Sequence, residues 1–214
     1  MIIAIDGPSG AGKSTIAKAV AKKLGFSCLD TGAMYRAVAY RALKDGVALD
    51  DAERLGVLAQ DHIISFGHDV GDPVPRKVYI DGEDITNLIR TAEIDKAVSP
   101  VSATSQVREA LVMQQQTIGA QGNYVVEGRD IGTVVFPEAE ERAHRRVRQN
   151  VDRGIGSINY EEVLADIIRR DEIDSNRTAS PLKPAEDSIH IDSTDEYIEA
   201  IIEKIITLAK ARMS

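Results

Sequence analysis

Ile2-Ile3-Ala4-Ile5-Asp6-Gly7-Pro8-Ser9-Gly10-Ala11-Gly12-Lys13-Ser14 is the stretch whose reading decides the fold. Residues 2–5 form a short continuous apolar run, the pattern of a strand buried on both faces. Residues 15–24 then read as a helix, with Ile16, Ala17, Val20, Ala21 and Leu24 on its apolar face and Gly25 to stop it. Between strand and helix, residues 7–14 complete the pattern G-x4-G-K-S/T. Its glycines let backbone N–H groups converge on phosphate oxygens, and the helix N-terminus adds a partial positive charge. Lys13 can reach β- and γ-phosphates, and the Ser14 hydroxyl can ligate Mg2+. A glycine-rich turn with an accidental lysine is the bland alternative, but it does not explain the strand before and the helix after. The stretch implies a nucleoside triphosphate site built from Gly7, Pro8, Ser9, Gly10, Ala11, Gly12, Lys13, Ser14 and Thr15.

Working outward, residues 27–30 read as a second short strand and 32–44 as a helix. Strand, helix, strand, helix implies a parallel sheet with right-handed crossovers. The middle of the chain changes character. Residues 63–66 and 77–80 are strand-like, and Asp81-Gly82 supplies a strong hairpin turn, so a small antiparallel insertion is expected over about 61–90. Residues 101–120 read as a helix, 124–127 as a buried strand ending on Glu127, and 138–153 as an arginine-rich helix. Residues 160–171 form a further helix, 189–192 the last strand and 194–213 the closing helix.

Composition narrows the function. The 214 residues suit one large domain, able to bury roughly 70% of its unfolded surface without metal or disulfide staples. A formal charge of −8 argues against non-specific nucleic-acid binding. The single cysteine, Cys28, excludes an intramolecular disulfide and a Cys-rich zinc site, and on a buried strand it reads as a small apolar residue. His62, His68, His144 and His190 show no metal-ligand spacing, and His190 is expected in the core. With no membrane-length apolar run and no signal-like leader, a soluble cytoplasmic protein is expected.

The phosphate loop alone does not separate small-molecule kinases from GTPases, motors or nucleotide-binding regulators. An Asn-Lys-x-Asp guanine-reading motif is absent, and motors need partner domains that this length does not supply. Arginine placement says more. Arg142, Arg145, Arg146, Arg148 and Arg153 crowd one stretch, although a solvated helix face balanced by Glu138, Glu140 and Glu141 explains them equally well. Arg129 is harder to dismiss, because it follows a buried strand, and ligands of open α/β sheets bind at the carboxyl ends of strands. Several arginines around a phosphate loop suit transfer between two anions. A phosphate acceptor is already a nucleophile and needs clamping rather than a general base.

At this point the residues resemble a known family, the bacterial cytidylate kinases. The resemblance runs through Ile5 to Ser14, Leu29-Asp30-Thr31-Gly32-Ala33-Met34-Tyr35-Arg36, Ile89-Arg90-Thr91 and Val107-Arg108-Glu109-Ala110-Leu111. It continues through Glu127-Gly128-Arg129-Asp130-Ile131-Gly132-Thr133, Arg170-Asp171 and Asp174-Ser175-Asn176-Arg177. It implies a P-loop α/β fold with a central parallel sheet flanked by helices, a small antiparallel NMP-binding insertion and a helical lid. The expected division is core 1–60, 91–144 and 172–214, insertion about 61–90 and lid about 145–171. It also implies transfer of the ATP γ-phosphate to CMP or dCMP by a monomer, with Mg2+ as cofactor. By position, Thr31, Tyr35, Arg36, Ser99, Arg108, Arg129, Asp130, Arg170, Asp174 and Arg177 would contact CMP, and Arg142 would lie on the ATP side.

Physical roles fit beside these positions. Asp130 can accept from the cytosine amine, with Ser99 and Arg108 completing the base edge. The guanidinium forks of Arg36, Arg129 and Arg177 match phosphate oxygens, so Lys13, Arg129 and Arg177 are the expected catalytic cations. Asp174 suits ribose hydroxyls, and Glu127 with Ser14 suits Mg2+. A kinase of another small acceptor and a nucleotide-binding regulator remain the alternatives. One departure from the family stands out. Phe136-Pro137-Glu138-Ala139 joins Glu140-Glu141-Arg142 directly, where the family runs through an apolar strand. No core strand is therefore expected between 127 and 189, and residues are expected to be missing between Ala139 and Glu140.

Overall fold

The computed structural model describes residues 1–8, 10–137, 141–146, 160–192 and 196–213. The opening apolar run becomes β1 (Ile2–Asp6), the middle strand of a five-stranded sheet in the order β2-β6-β1-β7-β8. Its companions are β2 (Ser27–Asp30), β6 (Tyr124–Gly128), β7 (Glu141–Arg146) and β8 (Ile189–Asp192). Every neighbouring pair is parallel. Side chains alternate across the sheet, and both faces are covered. Ile3, Ile5, Cys28, Val125 and Ile191 pack with α1 (Lys13–Leu24) and α7 (Ile198–Met213). Ala4, Leu29 and Val126 belong to the core shared with α2 (Thr31–Lys44), α3 (Ala52–Asp61), α4 (Ala92–Ala103) and α5 (Ser105–Gly119). Ile3 and Ile5 are 0% exposed, and burying each such side chain contributes about 1.5–3 kcal/mol.

The insertion region holds a three-stranded antiparallel sheet, β3 (Ile64–Gly67), β4 (Lys77–Ile80) and β5 (Glu83–Asp84). Asp81 and Gly82 have φ of 50° and 84°. Two positive φ values in a two-residue loop make the turn whose twist matches a hairpin, as the Asp-Gly pair predicts.

Several elements differ from expectation. The helix expected over 101–120 is broken. Thr104 adopts an extended conformation between α4 and α5, and its Oγ1 donates to the Pro100 carbonyl at 3.2 Å. Helix α3 has no counterpart among the predicted elements. It starts where the Asp51 side chain accepts from the Arg54 amide, and it buries Leu55, Gly56 and Ala59. Helix α6 (Tyr160–Asn176) runs beyond the expected 171. The largest correction concerns residues 138–153, expected as helix, with no core strand before 189. Glu141–Arg146 is instead β7, in register with β1 (Ile5 opposite Ala143) and with β8 (Ala143 opposite Ile189). The reason is backbone accounting. A strand must fill the slot between β1 and β8 or leave both ladders unpaired, and sheet context overrides the local helical pattern. The Ala139–Glu140 joint itself lies outside the described residues. His190, expected in the core, is exposed on β8 at the edge of the sheet, while Ile191 beside it is buried.

Candidate active site

The carboxyl ends of β1, β2 and β6 open onto a cleft of about 250 Å3. Its phosphate side is the loop between β1 and α1. Gly10 and Gly12 have φ of 68° and 69°, left-handed values that residues with a Cβ adopt only under strain, so glycine is required for the loop to turn into α1. Lys13 opens α1 with its side chain buried, and Nζ donates to the Pro8 carbonyl at 2.7 Å. Burial and the nearby Arg129 charge push its ammonium down to about 7 against the opposing pull of Glu127 and Asp6. The Ser14 hydroxyl donates to the Glu127 carboxylate. Burial and the Asp30 charge raise the Glu127 carboxyl above its ordinary value, and Lys13, Ser14 and Arg129 resist that rise. A hydroxyl and a carboxylate joined beside the phosphate loop are hard oxygen donors, the set that suits Mg2+ together with phosphate oxygens.

The opposite side of the cleft is an ion-pair network. Arg108 pairs with Asp130, both nearly inaccessible, and donates to the Ser102 carbonyl at 3.1 Å. That carbonyl is at the frayed end of α4, so the break at Thr104 is what gives Arg108 its backbone anchor. The Arg108 guanidinium also lies 5.3 Å from the centroid of the Tyr35 ring. Arg129 donates to Asp174 at 2.8 Å and to the Gly7 carbonyl at 3.2 Å. Arg177 reaches Asp174 at 3.3 Å and Asp130 at 3.6 Å. Arg36 pairs with Asp95 at the rim. Thr31 donates its hydroxyl to the Glu127 carbonyl at 2.8 Å, which ties α2 to β6 and leaves that hydroxyl a structural part in this state.

Thirteen residues expected in the site from sequence therefore meet at one cleft: Gly10, Lys13, Ser14, Thr31, Tyr35, Arg36, Ser99, Arg108, Glu127, Arg129, Asp130, Asp174 and Arg177. Thr15 is exposed on α1 and does not line it. Ser9 and the side chain of Arg170 lie outside the described residues. Arg142, expected on a helix beside the donor, is in β7 opposite Ala4, and its side chain is likewise outside them.

Sequence reasoning missed several participants. Asp6 accepts from the amides of Ile131 and Gly132, both at 2.8 Å. It thereby pins the single π-helical turn Ile131–Val135 that follows Arg129 and Asp130. Burial, with Asp130 nearby, pushes its carboxyl up to about 6 despite those two hydrogen bonds. The available signal was a carboxylate closing an otherwise apolar strand. Arg90 also lines the cleft, 3.8 Å from Asp30. Lys13, Arg36, Arg90, Arg108, Arg129 and Arg177 outnumber the lining carboxylates Asp30, Glu127, Asp130 and Asp174. An acidic chain thus presents a locally cationic cleft, suited to holding two phosphate-bearing molecules.

Among the described residues, no helix is long and apolar enough to cross a membrane. A solved gluconokinase from Sinorhizobium meliloti 1021 is 13% identical with a TM-score of 0.43, covering 99% of this chain and 93% of its own. Sequence relatives are much nearer. Cytidylate kinase from Streptococcus pneumoniae (strain 70585) is 47% identical over 222 residues, 99% of this chain and 98% of that protein. Its counterpart from serotype 4 (strain ATCC BAA-334 / TIGR4) is 46% identical over the same length. The 222 aligned residues exceed the 214 here, so at least eight positions of the alignment face no residue of this chain. The cytidylate kinase family model matches residues 3–211, from β1 to the end of α7. With the phosphate loop, the arginine cleft and full-length similarity in agreement, the chain belongs to the cytidylate kinase family.

Proposed function

We infer that the chain transfers the γ-phosphate of ATP to CMP or dCMP, giving ADP and CDP or dCDP. The observation that carries this reading is the buried Arg108–Asp130 pair on the far wall of an arginine-lined cleft that opens onto the phosphate loop. A carboxylate held there can accept from an exocyclic base amine, and the adjoining guanidinium and Ser99 can complete the base edge.

We propose the following roles, which the chemistry of the cleft lining supports. The phosphate loop and Lys13 hold the donor's phosphates. Arg36, Arg129 and Arg177 clamp the acceptor phosphate, whose oxygen attacks the γ-phosphorus in line without a general base. Arg129 and Arg177, paired with Asp174 here, are positioned to exchange part of that pairing for phosphate oxygens as negative charge develops. Asp174 then serves the acceptor's ribose. Ser14 and Glu127 would hold Mg2+, which neutralises charge on the β- and γ-phosphates when bound. The antiparallel unit of about 61–90 acts as the acceptor-side flap; of the expected lid, about 145–171, residues 145 and 146 belong to β7, and the rest, with Arg170, is assigned to closing over the site. Arg142 is assigned to the donor side, and the enzyme works as a cytoplasmic monomer.

Coupled assay of ADP release across CMP, dCMP, UMP and AMP tests the reading. Strong dependence on CMP or dCMP is expected. Preference for another acceptor would point to a different small-molecule kinase, and slow acceptor-independent turnover to a nucleotide-binding regulator.

A further inference from the structure

Asp6 closes β1 as a buried carboxylate after four apolar residues, and the phosphate loop begins at the next residue. Across the ladder its partner is Gly128, the last residue of β6. Beyond Gly128 the chain folds back towards β1. Asp6 Oδ1 accepts from the Ile131 amide and Oδ2 from the Gly132 amide, each at 2.8 Å. These amides lead the π-helical turn Ile131–Val135, and the leading amides of any helix have no partner within it. The neighbouring Gly7 carbonyl accepts from Arg129 Nη1 at 3.2 Å. The fold-back is tight on the β6 side as well. A Cβ on Gly128 would come within 2.5 Å of Ile131 Cδ1 and 2.9 Å of Thr31 Oγ1. Arg129, Ile131 and Gly132 are thus all tied to the Asp6-Gly7 end of β1, with Asp130 between them.

Satisfying two orphan amides accounts for an acceptor at this place. It does not account for which strand carries that acceptor. Because Asp6 stands directly before the phosphate loop, the loop for the donor and the turn that presents Arg129 and Asp130 share one anchor. In-line transfer demands that the two sides keep a fixed spacing, and a small misplacement is costly. We propose that Asp6 is a positioning residue for phosphoryl transfer. By gripping the Ile131 and Gly132 amides it holds Arg129 and Asp130 at a set distance from the phosphate loop, so that the acceptor is bound in line with the donor's γ-phosphate. Asp6 does not line the cleft and acts through the turn. The proposal rests on the reading of the cleft as a CMP site.

The test is steady-state kinetics with melting temperatures on Asp6→Asn, Asp130→Asn, the double variant Asp6→Asn/Asp130→Asn and Gly128→Ala. Asparagine keeps the shape of the side chain but turns an N–H towards one of the two amides, so one bond is lost and the turn shifts. For Asp6→Asn, KM for CMP should rise about tenfold and kcat should fall about 10²-fold, with KM for ATP nearly unchanged. A purely structural cap would lower the melting temperature and the active fraction, and so kcat, while leaving both KM values at wild type. In the Asp130→Asn background, Asp6→Asn should add little to KM for CMP, because it acts through Asp130. Gly128→Ala displaces Ile131 and moves the same turn from the other side, so it should also raise KM for CMP and spare KM for ATP. Wild-type KM for CMP in Asp6→Asn, an equal rise in KM for ATP, or additive effects on KM for CMP in the double variant would overturn the proposal. If Asp6→Asn fails to fold, Gly128→Ala decides, and wild-type KM for CMP there would overturn it. A wild-type enzyme that ignores CMP would instead remove the reading beneath it.

Discussion

Lys13 sits in the phosphate loop with its ammonium bound to the Pro8 carbonyl, buried and close to Arg129. Burial and that like charge favour the neutral amine, which is why its pKa falls to about 7 from an ordinary 10.5. A bound triphosphate reverses the balance and restores the proton. ATP binding should therefore take up close to one proton per molecule near pH 8, and affinity should weaken as pH rises above about 7. Calorimetry in two buffers of different ionisation enthalpy measures this directly, and identical heats would contradict it. Arg129 makes a complementary case. Its partner Asp174 keeps Arg177 when Arg129 is removed, so folding should lose little. Arg129→Ala should lower kcat by about 10²–10³-fold, with the melting temperature falling by no more than about 4 °C; wild-type kinetics would remove Arg129 from the transfer step. Residue types and their order made both legible in the sequence. The partners were not, because Asp6 reaching the Ile131 and Gly132 amides and Arg129 reaching the Gly7 carbonyl are contacts between segments far apart in the chain.

Element boundaries were legible where local chemistry is strong. Asp81-Gly82 forces its hairpin, Gly25 ends α1 in a left-handed conformation, and the apolar runs become β1 and β6. They were not legible where a long-range partner decides. The Thr104 break is stabilised by Arg108 reaching back to the Ser102 carbonyl, a bond that no window of helical periodicity reveals. β7 is the sharper example. Residues 141–146 read as helix by composition, yet the unfilled ladder between β1 and β8 draws them into the sheet. Ala143 occupies the register position of Ile5 on one side and Ile189 on the other. In such a strand Ala143→Val should raise stability by roughly 0.5–1 kcal/mol, whereas in a helix valine would cost a similar fraction. A raised urea midpoint is the expected result, and a lowered one would contradict the strand.

For the whole molecule, a net charge of −8 coexists with a cleft in which cations outnumber carboxylates. Average charge says nothing about the local field, which arises only when α2, α4, α5, β6 and α6 meet. The buried groups of both signs are pushed towards neutrality. Burial pushes Asp6 and Glu127 up and Lys13 and Arg177 down, and such shifts gather at functional sites. The direct test of this arrangement follows the γ-phosphate itself. Enzyme incubated with ATP labelled at the γ-position and equimolar CMP should place the label in CDP, with little in inorganic phosphate. Label released as inorganic phosphate at a rate indifferent to CMP would contradict transfer between two clamped anions.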